Sequence, residues 1–276
     1  MSTLEPGRPV ELVAGITRLL APNAGLMTGP GTNTYLVGTR EVAVIDPGPA
    51  LDAHLDAIVA AARGPIRWIL VTHTHPDHSP GAAALAAATG AALLGRPAPA
   101  GRHQDTSFRP DRVLEDGDRL TAADFTLTAI HTPGHASNHL CYLDEATRWL
   151  FTGDHIIAGS TVVIDPPDGN MAAYLRSLER LAELAPAALV PGHGDVIGDP
   201  VTAIRRLVEH RLRREDKVAR TLGAHPGSTL QALVRHAYDD VPASLHRIAE
   251  RSLLAHLEKL EAEGRARRAG DAWHPA

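Results

Sequence analysis

The stretch Thr72-His73-Thr74-His75-Pro76-Asp77-His78 puts three imidazoles and a carboxylate into six residues, at the end of an apolar run over residues 66–71. Imidazole nitrogen and carboxylate oxygen are the ligands that suit zinc and similar divalent ions. In an extended segment alternate residues face the same way, so His73 and His75 can grip one ion together. Pro76 then turns the chain and lets Asp77 and His78 point toward a second position. The competing reading is a polar turn with locally satisfied histidines. It gives no reason for this density of ligand types at this spacing, so the segment reads as a metal site.

Histidine and aspartate recur in three Gly-rich turns, Thr132-Pro133-Gly134-His135, Thr152-Gly153-Asp154-His155 and Pro191-Gly192-His193-Gly194. Each follows a run of strand character, over residues 125–130, 148–151 and 187–190. A polar group on a Gly turn at the end of a buried strand is how a rigid sheet aims ligands at one point. HTHPDH, TPGH, TGD and PGHG in this order resemble the metallo-beta-lactamase superfamily of hydrolases, over residues 15–198.

Carried over residue by residue, the resemblance implies two metal positions. His73, His75 and His135 would hold the first ion, and Asp77, His78 and His193 the second, with Asp154 bridging. This leaves a coordination position on each ion for water or substrate, which marks a catalytic rather than a structural site. A divalent metal lowers the pKa of bound water from 15.7 toward roughly 7, so hydroxide is available as nucleophile at neutral pH. Asp77 has a second implied role, orienting that nucleophile. Asp46, in Val44-Ile45-Asp46-Pro47-Gly48, matches a superfamily position that supports the histidine loop from behind; a strand-end turn residue is its other reading. His139 reads as packed or as support for a ligand, and His155 as structural. His54, His103, His210, His225, His236, His246, His256 and His274 lie outside any motif and read as solvated or locally bonded. No substrate-binding residue is legible. Asn33 is open between a substrate contact and a turn role.

The 276 residues suffice for one large domain and a small one. No uninterrupted apolar stretch reaches the roughly 18–20 residues that span a bilayer, so no membrane is expected. The N-terminus lacks a basic start followed by an apolar core, and the single cysteine, Cys141, sits in an apolar strand. Cytoplasm is the expected compartment.

Strands are expected near residues 11–20, 33–37, 41–45, 67–72 and 91–94, besides the three site-bearing runs. Helices are expected over residues 51–62, 80–89 and 171–185, the last capped by Asp168-Gly169-Asn170. Residues 96–110, with three Pro and mixed charge, read as a loop over the surface. The pattern gives mixed α/β layers; the resemblance implies a four-layer αββα sandwich with the metals at one edge.

The character changes after Gly198. Residues 1–200 carry 13 basic and 22 acidic residues, net −9, and residues 201–276 carry 14 and 10, net +4. The expected domains are therefore a catalytic one over residues 1–200 and a C-terminal one over residues 201–276. In the latter, helices over residues 201–222, 229–238 and 243–263 precede a hairpin over residues 265–273. Helices followed by a small basic hairpin resemble a winged helix. One reading makes Arg265, Arg267 and Arg268 nucleic-acid contacts; the other, which a net charge of only +4 favours, makes the module a lid or dimerisation element with solvated charges. The segments MTGPGTNTYLVG (27–38) and THTHPDHSPG (72–81), with the winged helix, resemble the beta-lactamase-like protein 2 family, whose members include an endoribonuclease acting on single-stranded RNA. This chain departs from that family's pattern at Ser137-Asn138 and at His155.

The reading is a binuclear metal hydrolase using two divalent ions, zinc by preference, on an ester, thioester or related small-molecule bond. Its expected partner is a small-molecule or carrier-bound substrate, with RNA and a homo-oligomer left open. The alternatives are an endoribonuclease cleaving single-stranded RNA and a metal-binding regulatory protein acting on DNA. The acidity of residues 1–200 argues against a polyanionic substrate.

Overall fold

Most of the strands in this chain are short, apolar and bounded by Gly, Pro or Asp, which restricts them to a layered sheet protein. The computed structural model describes residues 4–101 and 103–276; Met1, Ser2 and Thr3 of the expected catalytic domain and Arg102 of the expected loop lie outside them. In chain order come β1 (Val10–Val13), β2 (Ile16–Leu20), β3 (Asn33–Val37), β4 (Val42–Ile45), α1 (Asp52–Ala61) and β5 (Ile66–Leu70). There follow α2 (Gly81–Thr89), β6 (Ala92–Gly95), β7 (Arg112–Val113), β8 (Arg119–Thr121), β9 (Thr126–His131), β10 (Leu140–Asp144) and β11 (Trp149–Gly153). The chain continues with α3 (Met171–Glu183), β12 (Ala188–Pro191), α4 (Pro200–Ala224), β13 (Ser228–Thr229) and α5 (Leu230–Ala237). A 3-10 turn (Ala243–Leu245), α6 (His246–Ala262), β14 (Ala266–Ala269) and β15 (Ala272–Pro275) complete it.

Two compact units result. The first comprises Met1–Thr132, Asn138–Thr161 and Leu184–Pro200. Its seven-stranded sheet runs β1-β2-β3-β4-β5-β6-β7, antiparallel as far as β4 and parallel beyond it. The parallel half requires crossovers; α1 supplies the one from β4 to β5 and α2 the one from β5 to β6. Its five-stranded sheet runs β12-β11-β10-β9-β8, parallel only at β11–β12. One core lies between the sheets, joining Ile16, Tyr35, Ile45 and Leu70 to Leu127, Tyr142, Phe151 and Val190. A second joins Leu36, Val44 and Ile69 to Leu55 and Ile58 of α1 and Leu85 of α2. Three layers of an αββα sandwich are thus present in this unit alone.

The second unit takes in Pro133–Ser137 and Val162–Glu183 besides Val201–Ala276, so it is larger than the expected 201–276 domain. Asn170 caps α3, its side-chain oxygen accepting the N–H of Ala173 at 2.8 Å. The three-stranded sheet β13-β15-β14 closes the unit, and Leu233, Leu253, Leu257 and Leu260 pack with Trp273 in one apolar cluster.

Three sequence expectations need correction. Residues 11–20 form two strands, not one, because Gly15 adopts φ 81 and reverses the chain between β1 and β2. The 96–110 loop forms no strand or helix among its described residues, yet Phe108 is buried in the α1–α2 core. His54, read as solvated or locally bonded, lies buried on the inner face of α1, and its Nε2 meets Thr34 Oγ1 at 2.9 Å.

His54 carries a pH consequence. Thr34 Oγ1 donates to the Asp46 carbonyl, so it accepts from His54 Nε2–H, and the buried Nδ1 has no acceptor for a second proton among the described residues. Burial pushes its pKa down to about 4. A histidine depressed in the folded state contributes stability that is complete above the unfolded pKa of about 6.5 and is lost as pH falls toward 4. The loss over that window is about 3 kcal/mol. His54→Gln keeps the bond to Thr34 and does not titrate. In urea unfolding series at pH 7.5 and 4.5, the variant should therefore lose less stability on acidification than the parent; equal losses would show that His54 is not the group responsible.

Candidate metal centre

The His73–His78 loop follows β5, Asp46 follows β4, Asp154 follows β11 and His193 follows β12. These are the carboxyl ends of two parallel strand pairs, where open α/β sheets place their ligands. Two buried tyrosines tie the sheets together at this edge: Tyr35 of the first sheet donates to the Pro191 carbonyl at 2.7 Å, and Tyr142 of the second to the Val71 carbonyl at 2.8 Å.

Asp77, His78, Asp154 and His193 converge. His78 Nε2 lies 3.5 Å from Asp77 Oδ2 and 3.4 Å from Asp154 Oδ1, and His193 Nε2 lies 3.2 Å from each of the same oxygens. Neither Nε2 makes a hydrogen bond among the described residues. Ligand atoms each about 2.0–2.1 Å from a tetrahedral ion stand about 3.3 Å apart, so these four fit one divalent cation. His73 Nε2 and His75 Nδ1 approach to 3.0 Å. Two groups here offer mutually close ligand atoms: His73, His78 and Asp154, and Asp77, His78 and His193.

The other ring nitrogens are tied back. His78 Nδ1 meets Asp46 Oδ2 at 2.8 Å, His73 Nδ1 meets Thr72 Oγ1 at 3.0 Å, and His193 Nδ1 meets the Gly31 carbonyl at 3.1 Å. Thr72 Oγ1 in turn donates to Asp46 Oδ2 at 2.7 Å, while Asp46 Oδ1 accepts the Thr72 N–H at 2.7 Å. One buried carboxylate thus orients His78 directly and His73 through a hydroxyl, so that the tilt of both rings is fixed from behind. Asp46 holds this position at φ 52, a left-handed conformation uncommon for a residue with a side chain. His135 belongs to the second unit; there it is buried, with Nδ1 2.7 Å from the Val163 carbonyl.

The electrostatics suit a cation. Burial opposes charge throughout, but Asp77, Asp154 and Asp46 outweigh it and hold His78 well above the ordinary imidazole value. Burial also opposes charge on His193, which Asp154 and Asp77 nevertheless raise to about 10. Against the same burial, His78 and His193 lower Asp77 to about 2 and keep Asp154 well below the carboxylate range. Burial and the neighbouring imidazoles of His78 and His75 drive His73 well below its ordinary value.

Asn33, left open between a substrate contact and a turn role, is the first residue of β3. It is buried, and its Nδ2 donates to the carbonyls of Pro191 at 2.9 Å and Gly194 at 2.8 Å, clamping the turn that carries His193. His139 is buried with its ring 5.0 Å from that of His73, packed behind it. His155 is fully buried with its ring 5.8 Å from His139, while Asp154 turns toward His78 and His193. In the second unit, Arg265 is paired with Glu215 at 3.2 Å and Glu263 at 3.4 Å. Arg268 lies 3.9 Å from Asp271 and 5.7 Å from the Trp273 ring, and Arg267 is exposed. His256, read as solvated or locally bonded, is fully buried beside Glu215.

A cluster of imidazoles and carboxylates at the carboxyl edge of two packed sheets is the arrangement of a metal-dependent hydrolase. The chain belongs to the metallo-beta-lactamase superfamily, which residues 27–193 match, and residues 229–273 match the beta-lactamase associated winged helix domain. It is 31% identical over 272 residues to the beta-lactamase-like protein 2 homolog of Drosophila melanogaster, covering 93% of this chain and 91% of that protein. It is 34% identical over 252 residues to the atrochrysone carboxyl ACP thioesterase of Aspergillus chevalieri, covering 85% of this chain and 76% of that one. Among solved structures, a beta-lactamase domain protein from Burkholderia ambifaria shares the fold over 100% of this chain and 96% of its own, with TM-score 0.84 and 22% identity. TTHA1623 in a di-iron-bound form aligns with TM-score 0.54 and 29% identity over 65% of this chain and 94% of its own. No helix among the described residues is long and apolar enough to cross a membrane.

Proposed function

We propose that this hydrolase cleaves an acyl thioester, small or carrier-bound, with two divalent ions, zinc by preference. The observation that carries the reading is the 3.2–3.5 Å spacing of Asp77 Oδ2, His78 Nε2, Asp154 Oδ1 and His193 Nε2. Those four residues would hold one ion, and His73, His75 and His135 the other, with Asp154 shared. The imidazole-rich set favours zinc; the two irons of TTHA1623 make iron the competing metal. The thioester is supported by the relative named an ACP thioesterase, and the net charge of −9 over residues 1–200 disfavours a polyanion. Buried Cys141 is in keeping with a cytoplasmic setting.

Ions of this kind supply an activated water near neutral pH and stabilise negative charge on the carbonyl oxygen. The chain's own groups do the rest. Asp77, kept ionised and one-quarter exposed at its side chain, is placed to orient the attacking water and accept its proton. Asp46 and Thr72 fix the tilt of His78 and His73, and Asn33 that of His193.

The ion-paired Arg265 and Arg268 support the structural reading of the winged helix over a phosphate-binding one. Zinc-loaded protein assayed in parallel on thioesters, lactones and single-stranded RNA should turn over the thioester best and lose that activity with a chelator. The triple variant Arg265→Ala, Arg267→Ala, Arg268→Ala should keep it within about twofold. RNA cleavage that collapses in the triple variant, with thioesters untouched by the parent, would move the ribonuclease reading to first place.

A further inference from the structure

The first unit holds a cavity of about 340 Å³, within the roughly 300–1,000 Å³ of pockets that take small molecules. Four turns wall it: Ala14 lies between β1 and β2, Gly38 between β3 and β4, Phe125 between β8 and β9, and Ala146 between β10 and β11. β3 runs antiparallel to β4, and β10 to β11. These turns therefore sit at the amino ends of the strands whose carboxyl ends carry Asp46 and Asp154, on the sheet edge away from those two carboxylates.

Glu11, Asp124 and Asp144 line the cavity together with Arg63. Arg63 is already engaged, its Nη1 and Nη2 donating to the two oxygens of Glu11 at 2.9 and 2.8 Å. Asp124 Oδ2 accepts the N–H and hydroxyl of Thr39 at 2.7 and 2.8 Å and the Arg40 N–H at 3.1 Å. Asp144 Oδ2 accepts the N–H and hydroxyl of Thr147 at 2.9 and 2.6 Å. All these donors are neutral, so the lining stays negative. Asp144 is only 3% exposed, and its Oδ1 is buried with no hydrogen-bond partner among the described residues. A buried carboxylate oxygen without a donor is costly, and a charged N–H donor relieves that cost best. A divalent cation would need several oxygens at once. The groups of mutually close ligand atoms among the described residues contain neither Asp124 nor Asp144.

The rest of the lining is hydrocarbon. The Phe125 ring meets Trp68 edge-on at 6.1 Å and abuts Gly38, where a Cβ would stand 2.7 Å from its Cδ1. Ile16 and Val37 add aliphatic surface. We propose that this cavity binds a small aliphatic amine as its ammonium ion, an N–H donating to Asp144 Oδ1 and the alkyl stem resting on Phe125, Ile16 and Val37. An aromatic face also attracts a cation. Walls already fixed by Trp68 and by the Arg63–Glu11 pair cost little further ordering when the stem settles on them. The site lies in the first unit alone and uses no residue of the metal centre, so it is independent of the hydrolase reading.

The test is calorimetric titration of the full chain with pentylammonium chloride, which should bind saturably with one equivalent per chain. Pentan-1-ol and pentanoate carry the same stem without the cation and should bind at least about tenfold more weakly. Asp144→Asn keeps an acceptor for Thr147 and puts an N–H in place of Oδ1, so pentylammonium binding should weaken by about tenfold or more. Ala146 is exposed on the cavity wall, so Ala146→Phe fills the space without disturbing the core and should weaken binding as much. That second variant decides the matter if Asp144→Asn does not fold. No saturable binding up to about 1 mM pentylammonium would overturn the proposal. So would equal binding by the parent and Ala146→Phe, which would place the amine elsewhere on an acidic surface, or pentanoate bound as tightly as the amine. The measurement needs no turnover, so its result holds whichever bond the metal centre cleaves.

Discussion

Asp154→Ala should release both ions of the proposed two-ion centre and lower turnover by at least about 10³-fold, the largest loss expected of any single side chain. Its Oδ1 lies within 3.4 Å of Nε2 of both His78 and His193, and it groups with His73 and His78 as a candidate ligand set. The substitution thus removes the one carboxylate that reaches toward both halves of the centre. It also removes the charge that keeps His193 near 10 and helps keep His78 high. His193→Ala is the informative comparison. His193 groups only with Asp77 and His78, so its loss should spare the ion held by His73 and His75. Metal analysis of gently purified protein reads both results, with about two equivalents in the parent, about one in His193→Ala and little in Asp154→Ala. Two equivalents in both variants would remove Asp154 from its shared position.

The catalytic half of the molecule was legible because its ligands lie in short motifs at strand ends. Strand and turn signals there are local, and Thr72-His73-Thr74-His75 follows β5 as its alternation requires. The C-terminal helices were legible for the same reason, Thr229 accepting the Ala232 N–H as the N-cap of α5. What was missed depends on contacts far apart in sequence. Asn33 reaches the Pro191 carbonyl across 158 positions, and no local pattern announces such a clamp. Arg265 offers a positive charge in sequence, but its carboxylate partner is 50 positions away, and only the fold shows the charge already paired. His54 is the nearer miss. Its place beside Leu55 and Ile58 on the inner face of α1 follows from helical spacing, once that helix is known to cover a sheet.

Gly192 tests how closely the chain has been fitted around the ligands. It lies in the turn between β12 and His193, its N–H donating to the Gly153 carbonyl and its carbonyl accepting from Asn33 N–H, each at 2.8 Å. A Cβ there would stand 2.8 Å from His78 Cε1, 2.9 Å from Asp154 Oδ1 and 3.1 Å from the Gly153 carbonyl carbon. None of these can retreat cheaply: His78 is held by Asp46, and Gly153 is backbone at φ 45. Gly192→Ala should therefore shift a ligand by several tenths of an ångström rather than unfold the chain. Overpacking of one methyl costs about 1–3 kcal/mol of stability, whereas displacement of about 1 Å at a reacting centre costs about 10²-fold in rate. The expected outcome is a folded protein with weakened metal binding near His78 and roughly 10²-fold slower turnover. Gly198→Ala is the control, since a Cβ there meets nothing within 4 Å. Normal metal content and normal turnover in Gly192→Ala would mean that His78 and Asp154 do not need the positions they occupy here.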